Sequence, residues 1–90
     1  MELEEIRQHL DRLDHSLVLI LAERMSFIPM VAKAKMDKDL ERFQPEREKQ
    51  IIEAKRKMAE ELDVNPDMIE DIFKRIIGEA HRIQKEIIGK

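Results

Sequence analysis

Arg24, Lys35 and Gln84 stand where the surrounding helical pattern calls for an apolar residue. Arg24 falls on an apolar stripe between Ile20 and Phe27 or Ile28. Lys35 follows eleven residues later, which at the helical angle brings it within about 20° of the same face and about 16 Å further along the axis. Gln84 extends the line Phe73, Ile77, Ala80, and Arg47 and Glu48 head a stripe that begins at Ile51. A charge in such a place is rarely buried unless it is paired. Singly, each has an ordinary structural explanation. Arg24 could set the register of a helix seam or reach past it to water. Gln84 could make a core or interface hydrogen bond, and Lys35 could complement a helix dipole. Together they outline a cationic pocket with a few neutral donors and one carboxylate, a site for a small polyanion.

Other chemistries lack their residues. His9, His15 and His81 have no metal-ligand spacing, and the serines Ser16 and Ser26 have no base nearby in sequence. There is no cysteine, so neither a thiolate metal site nor a Cys nucleophile is available. With two glycines in the whole chain there is no phosphate-cradling loop. A reaction on this chain has to proceed by positioning and electrostatics, with no metal and no cofactor. The net charge of -3 gives no reason to expect nucleic acid as a partner. No apolar run reaches the length of a membrane span, so a cytoplasmic protein is expected.

The elements that must position these side chains are helices. The chain has 90 residues, 41% charged and 42% hydrophobic, with Phe the sole aromatic type; such a composition suits helices and not sheets. Leu3, Ile6, Leu10, Leu13, Leu17 and Ile20, then Phe27 and Val31, recur in steps of three and four or their sums, which predicts one helix over about 2–36. Pro29 lies inside it and is expected to kink it. Residues 36–44 lose the period and read as a loop. Pro45 opens a helix over about 45–62. Asn65 and Pro66 supply the cap and first residue of a third, over about 66–88, with Gly78 inside it for close helix approach or to leave room for a ligand. A first helix of that span is about 50 Å long, whereas a compact chain of this size has a radius of gyration of about 12 Å. Its stripe would lie in water unless a second chain covers it. The fold class is therefore all-α, one domain over 1–90 with three helices per chain, paired in an intertwined homodimeric bundle. Arg7 precedes Arg24 by 17 residues, about 25 Å along the helix. It either reaches a shared site from the partner chain or is an ordinary surface arginine.

The runs Ile6-Arg7-Gln8-His9-Leu10-Asp11-Arg12-Leu13-Asp14, Leu21-Ala22-Glu23-Arg24, Val31-Ala32-Lys33-Ala34-Lys35 and Pro45-Glu46-Arg47-Glu48, with Gln84 in the third helix, resemble the all-helical chorismate mutases over nearly the whole chain. That resemblance implies an intertwined dimer with two shared sites and the rearrangement of chorismate to prephenate, on the route to Phe and Tyr. It implies that Arg24 and the partner chain's Arg7 clamp the substrate carboxylates. Lys35 and Gln84 would donate to the ether oxygen, Arg47 would line the pocket beside the breaking bond, and Glu48 would accept the ring hydroxyl. Two positions depart from the family pattern. Gln44 stands where Asp is frequent, which weakens an expected contact to the ring hydroxyl, and Ala80 stands where some members have Ser. Two competing readings are an isochorismate pyruvate-lyase, which shares the fold and the cationic pocket, and a non-catalytic helical dimerisation or regulatory module.

Overall fold

Pro29 decides the shape of the first helical arm. It has no N–H to offer the carbonyl of Met25, and its ring crowds that turn. In the computed structural model, which describes residues 1–90, the arm is two segments, α1 (Leu3–Ser26) and α2 (Ile28–Asp37), joined at Phe27. The Phe27 N–H turns back to the Arg24 carbonyl at 3.2 Å, a tighter closure than the α-helical one. The single helix expected over 2–36 is thus broken by one residue. The remaining helices are α3 (Pro45–Glu61) and α4 (Pro66–Ile88), and there is no strand.

Local chemistry sets the other ends. Gln44 precedes Pro45 at the start of α3. The Asn65 side chain accepts the Asp67 N–H at 2.9 Å and caps α4, where Pro66 occupies the first position. Gly89, at φ 87°, ends it in the left-handed conformation. The helices α2 and α3 end by the same device with an aspartate in place of glycine. Asp39 (φ 54°) and Asp63 (φ 58°) are left-handed. Leu40 N–H then reaches the Lys35 carbonyl and Val64 N–H the Ala59 carbonyl, each at 2.8 Å. Asp tolerates this conformation better than most residues.

The helix α4 is the spine: α3 packs along it and α2 crosses onto it. Their shared interior is small, made of Ile28, Ala32, Ala59, Ala80 and the amide of Gln84. Small side chains at three of these places let the helix backbones approach closely. No residue of α1 is buried. Leu3, Ile6, Leu10, Leu13, Leu17 and Ile20 are each at least 40% exposed, and α1 projects from the rest as an arm. The chain measures 55 × 24 × 15 Å with a radius of gyration of 16.3 Å, well above the compact value of about 12 Å. A side chain at Gly78 would meet nothing within 4 Å, so this glycine makes no close helix contact inside the chain. It opens space along α4 instead.

Candidate active site

Arg24 lies in the last turn of α1 and Lys35 in the last turn of α2, where positive charge complements the helix dipole. The break at Phe27 leaves both facing one cavity of about 190 Å³. The other walls come from Arg47, Glu48 and Ile51 of α3, from Ile77, Ala80, His81 and Gln84 of α4, and from Gln44 at the head of α3. Of the seven residues singled out from the sequence, Arg24, Lys35, Gln44, Arg47, Glu48 and Gln84 are brought together here. Arg7 is not: it sits on the exposed arm, outside the cavity.

The hydrogen-bond inventory shows which groups are spent and which remain. Lys35 Nζ donates to the Arg42 carbonyl at 2.5 Å and to Gln84 Oε1 at 2.8 Å. An ammonium has three donors, so one is left over. Gln84 is 4% exposed; with its carbonyl oxygen on Lys35, its NH2 is the group left to donate. Arg24 carries the strongest signal: its Nη1 is buried and has no hydrogen-bond partner. A guanidinium nitrogen buried unpaired is costly, and an anion in the cavity is the group that removes the cost. Burial pushes the Lys35 ammonium below the ordinary lysine value of 10.5; the Glu48 carboxylate opposes that, and the Arg42 guanidinium adds to it.

Three residues that sequence reading did not single out belong to the site: His81 lines the cavity, and Arg42 and Phe43 pack against it. His81 Nε2 lies 2.9 Å from Glu48 Oε2, and His81 Nδ1 lies 3.1 Å from Arg42 Nη1. The Phe43 ring packs on the imidazole with centroids 4.3 Å apart, and the Arg42 guanidinium lies over the Phe43 ring, 4.4 Å from its centroid. Arg42 also donates through Nε to the Lys90 carbonyl at 2.9 Å. Arg42 and Phe43 lie in an aperiodic loop, where spacing carries no information about facing. His81 precedes Gln84 by three residues on one helix, the helical neighbour spacing, and that was the one signal available. Gln44, by contrast, turns its amide NH2 to the Glu41 carbonyl at 2.8 Å, which leaves its oxygen free as an acceptor.

The donor set, the cations Arg24, Lys35 and Arg47 with the amide of Gln84, suits a compact anion. Comparison with known proteins shows the family of the chain. Two relatives are called T-protein. The one from Enterobacter agglomerans is 34% identical over 85 residues, which is 94% of this chain and 23% of the relative. The one from Haemophilus influenzae is 33% identical over 79 residues, 88% of this chain and 21% of the relative. The chain thus spans less than a quarter of the length of these two. A chorismate mutase from Methanocaldococcus jannaschii is 32% identical over 87 residues, covering 97% of this chain and 88% of the relative. Residues 6–85 match the family described as chorismate mutase type II. The cavity of α1, α2, α3 and α4 therefore sits in a member of a known family: the chain belongs to the chorismate mutase type II family.

Proposed function

We propose that the chain converts chorismate to prephenate in Phe and Tyr biosynthesis, as an isomerase that uses no metal and no cofactor. The observation that carries the reading is the buried, unpartnered Nη1 of Arg24 at the edge of a cavity lined by further donors. Chorismate bears two carboxylates, and a guanidinium binds a carboxylate through two parallel hydrogen bonds. The reaction breaks one C–O bond as one C–C bond forms within the same molecule, so no proton or group has to leave.

Negative charge grows on the ether oxygen as its bond stretches. The unspent donors of Lys35 and Gln84 meet that oxygen, and such contacts are stronger in the transition state than in the ground state. Arg24 holds one carboxylate and keeps the substrate folded in its reactive conformer. Glu48, with Oε1 free, accepts the ring hydroxyl; Gln44 offers a weaker, neutral acceptor; Arg47 borders the breaking bond.

The second carboxylate falls to Arg7 of a second copy of the chain. This homodimer is supported by the bare arm: eight large apolar residues of α1 lie at least 40% exposed, and covering them is favourable by about 25 cal/mol per Å². The arm also carries Arg7 about 25 Å from Arg24 within one chain, too far for one small molecule. Location in the cytoplasm is part of the same proposal and rests on the biosynthetic role. No helix of the chain is long and apolar enough to cross a membrane.

The test is an assay of the purified chain on chorismate beside isochorismate. Loss of chorismate absorbance with formation of prephenate is the expected result. Release of pyruvate from isochorismate with chorismate untouched would make it a lyase. Inertness toward both would leave a helical dimerisation module.

A further inference from the structure

His81 is the one titratable side chain of the cavity wall to which neither the family pattern nor the proposed reaction gives a task. Its surroundings are unusually specific. The α3 helix presents Glu48 to one ring nitrogen, at 2.9 Å, and the loop before α3 presents Arg42 to the other, at 3.1 Å. Phe43 packs on the ring, and the imidazole side chain is only 13% exposed. These contacts fix its proton. A guanidinium has donors and no acceptor, so Nδ1 must be the bare nitrogen and accept from Arg42. Nε2 then carries the hydrogen and donates it to Glu48 Oε2.

We infer that His81 is a positioning residue: held as the Nε2–H tautomer by Arg42, it locks the Glu48 carboxylate so that Oε1 faces the cavity to accept the substrate's ring hydroxyl. This deepens the proposed function and rests on it for the identity of that hydroxyl. The loop closes the arrangement from behind, because the Arg42 backbone carbonyl accepts from Lys35. One loop residue thereby sets both the lysine that donates to the substrate and the histidine that aims the carboxylate. A hydroxyl contact of this kind is made equally in the ground state and the transition state. Its loss raises KM and leaves kcat nearly unchanged.

The test has one arm that needs no substrate and one that does. In the first, ring nitrogen chemical shifts of the ¹⁵N-labelled chain at pH 7.5 are compared with those of His81→Gln to assign the signal. A bare Nδ1 and a protonated Nε2 are expected; a protonated Nδ1 overturns the inference, whatever the enzyme turns over. In the second, His81→Leu is expected to raise KM for chorismate about 10-fold, the effect of losing one hydrogen bond to a charged group, with kcat nearly unchanged. His81→Gln, whose amide can still donate to Glu48, is expected to recover most of that loss. In a Glu48→Ala background the leucine change is expected to add nothing. An unchanged KM in His81→Leu, a loss confined to kcat, or a full additional loss in the Glu48→Ala background each overturns the inference. If the leucine variant does not fold, as judged by circular dichroism, the glutamine variant and the ring shifts still decide. If the unaltered chain leaves chorismate untouched, it is the proposed function that fails, and the ring shifts still test the geometry.

Discussion

Two clusters of charge lie at opposite ends of the α3–α4 pair, and they differ in what is left over. At the turn joining the two helices, Arg56 donates to the Pro66 carbonyl, to Asp67 at 3.0 Å and to Glu70 at 3.1 Å, while Lys74 holds the other oxygen of Glu70 at 2.8 Å. Every ion there has its counter-ion. The hydrogen bond it donates to Asp67, ahead of the pull of Glu70, holds the Arg56 guanidinium above its ordinary range, and Lys74, ahead of Arg56, holds the Glu70 carboxyl below its own. At the other end, Arg24, Lys35, Arg47 and Glu48 line a cavity with cations in excess, and one guanidinium nitrogen is buried with no partner. The first cluster is finished and clips a helical hairpin. The second is unfinished and needs an anion. Charge density alone does not mark a site; unspent hydrogen-bonding capacity in a sheltered place does.

Removing the unspent groups is the sharpest way to break the comparison. Arg24→Ala is expected to lower kcat/KM for chorismate about 10³-fold, the upper range for losing one electrostatic stabiliser, with helix content unchanged by circular dichroism. Gln84→Ala is expected to cost about 10²-fold, and mostly in kcat, because its donor acts on charge that develops in the transition state. Arg56→Ala probes the finished cluster. It is expected to change kcat/KM by less than about 3-fold and to lower the thermal midpoint slightly, since exposed ion pairs contribute little. That small loss should shrink further in high salt.

The pH profile separates the clusters in another way. Lys35 must carry its proton to donate, and burial lowers its proton affinity in the folded chain. The kcat/KM profile should therefore fall on the alkaline side at a pH below 10.5, the ordinary lysine value. A bound dianion favours the charged form and moves the fall in kcat to higher pH than that in kcat/KM. For stability the sign is opposite. With the folded value below the unfolded one, the unfolded chain binds more protons in the window between them, so this lysine's contribution to stability rises with pH there. Lys35→Met should abolish that alkaline rise in the denaturation midpoint.

The helical frame was legible because its rules are local. Apolar spacing, the prolines at 29, 45 and 66, and the Asn65 cap each state where a helix starts, bends or runs. The cavity was half legible. Arg24, Lys35 and Gln84 betrayed themselves by interrupting apolar stripes, and the helical angle placed Arg24 and Lys35 on one face. What escaped was whatever depends on a turn. Asp39 and Asp63 end helices in a conformation that glycine usually marks, and the first of them starts the loop that delivers Arg42. That loop then recruits His81, whose position beside Glu48 depends on how α3 crosses α4. The break at Phe27 followed from Pro29, yet spacing could not tell a smooth kink from a one-residue interruption. Of the two readings of Gly78, close helix approach and open space, the structure shows open space.

The proposed function has the site shared between two copies of the chain, and a mixing experiment tests this most directly. An Arg7→Ala chain and an Arg24→Ala chain, each nearly inactive alone, are unfolded together, refolded and assayed on chorismate. About half of the resulting dimers are mixed, and each has one site with both arginines intact. The mixture is expected to recover about a quarter of the wild-type rate. A mixture no more active than either variant, with mixed dimers demonstrated by native mass spectrometry, would contradict a site shared between two chains.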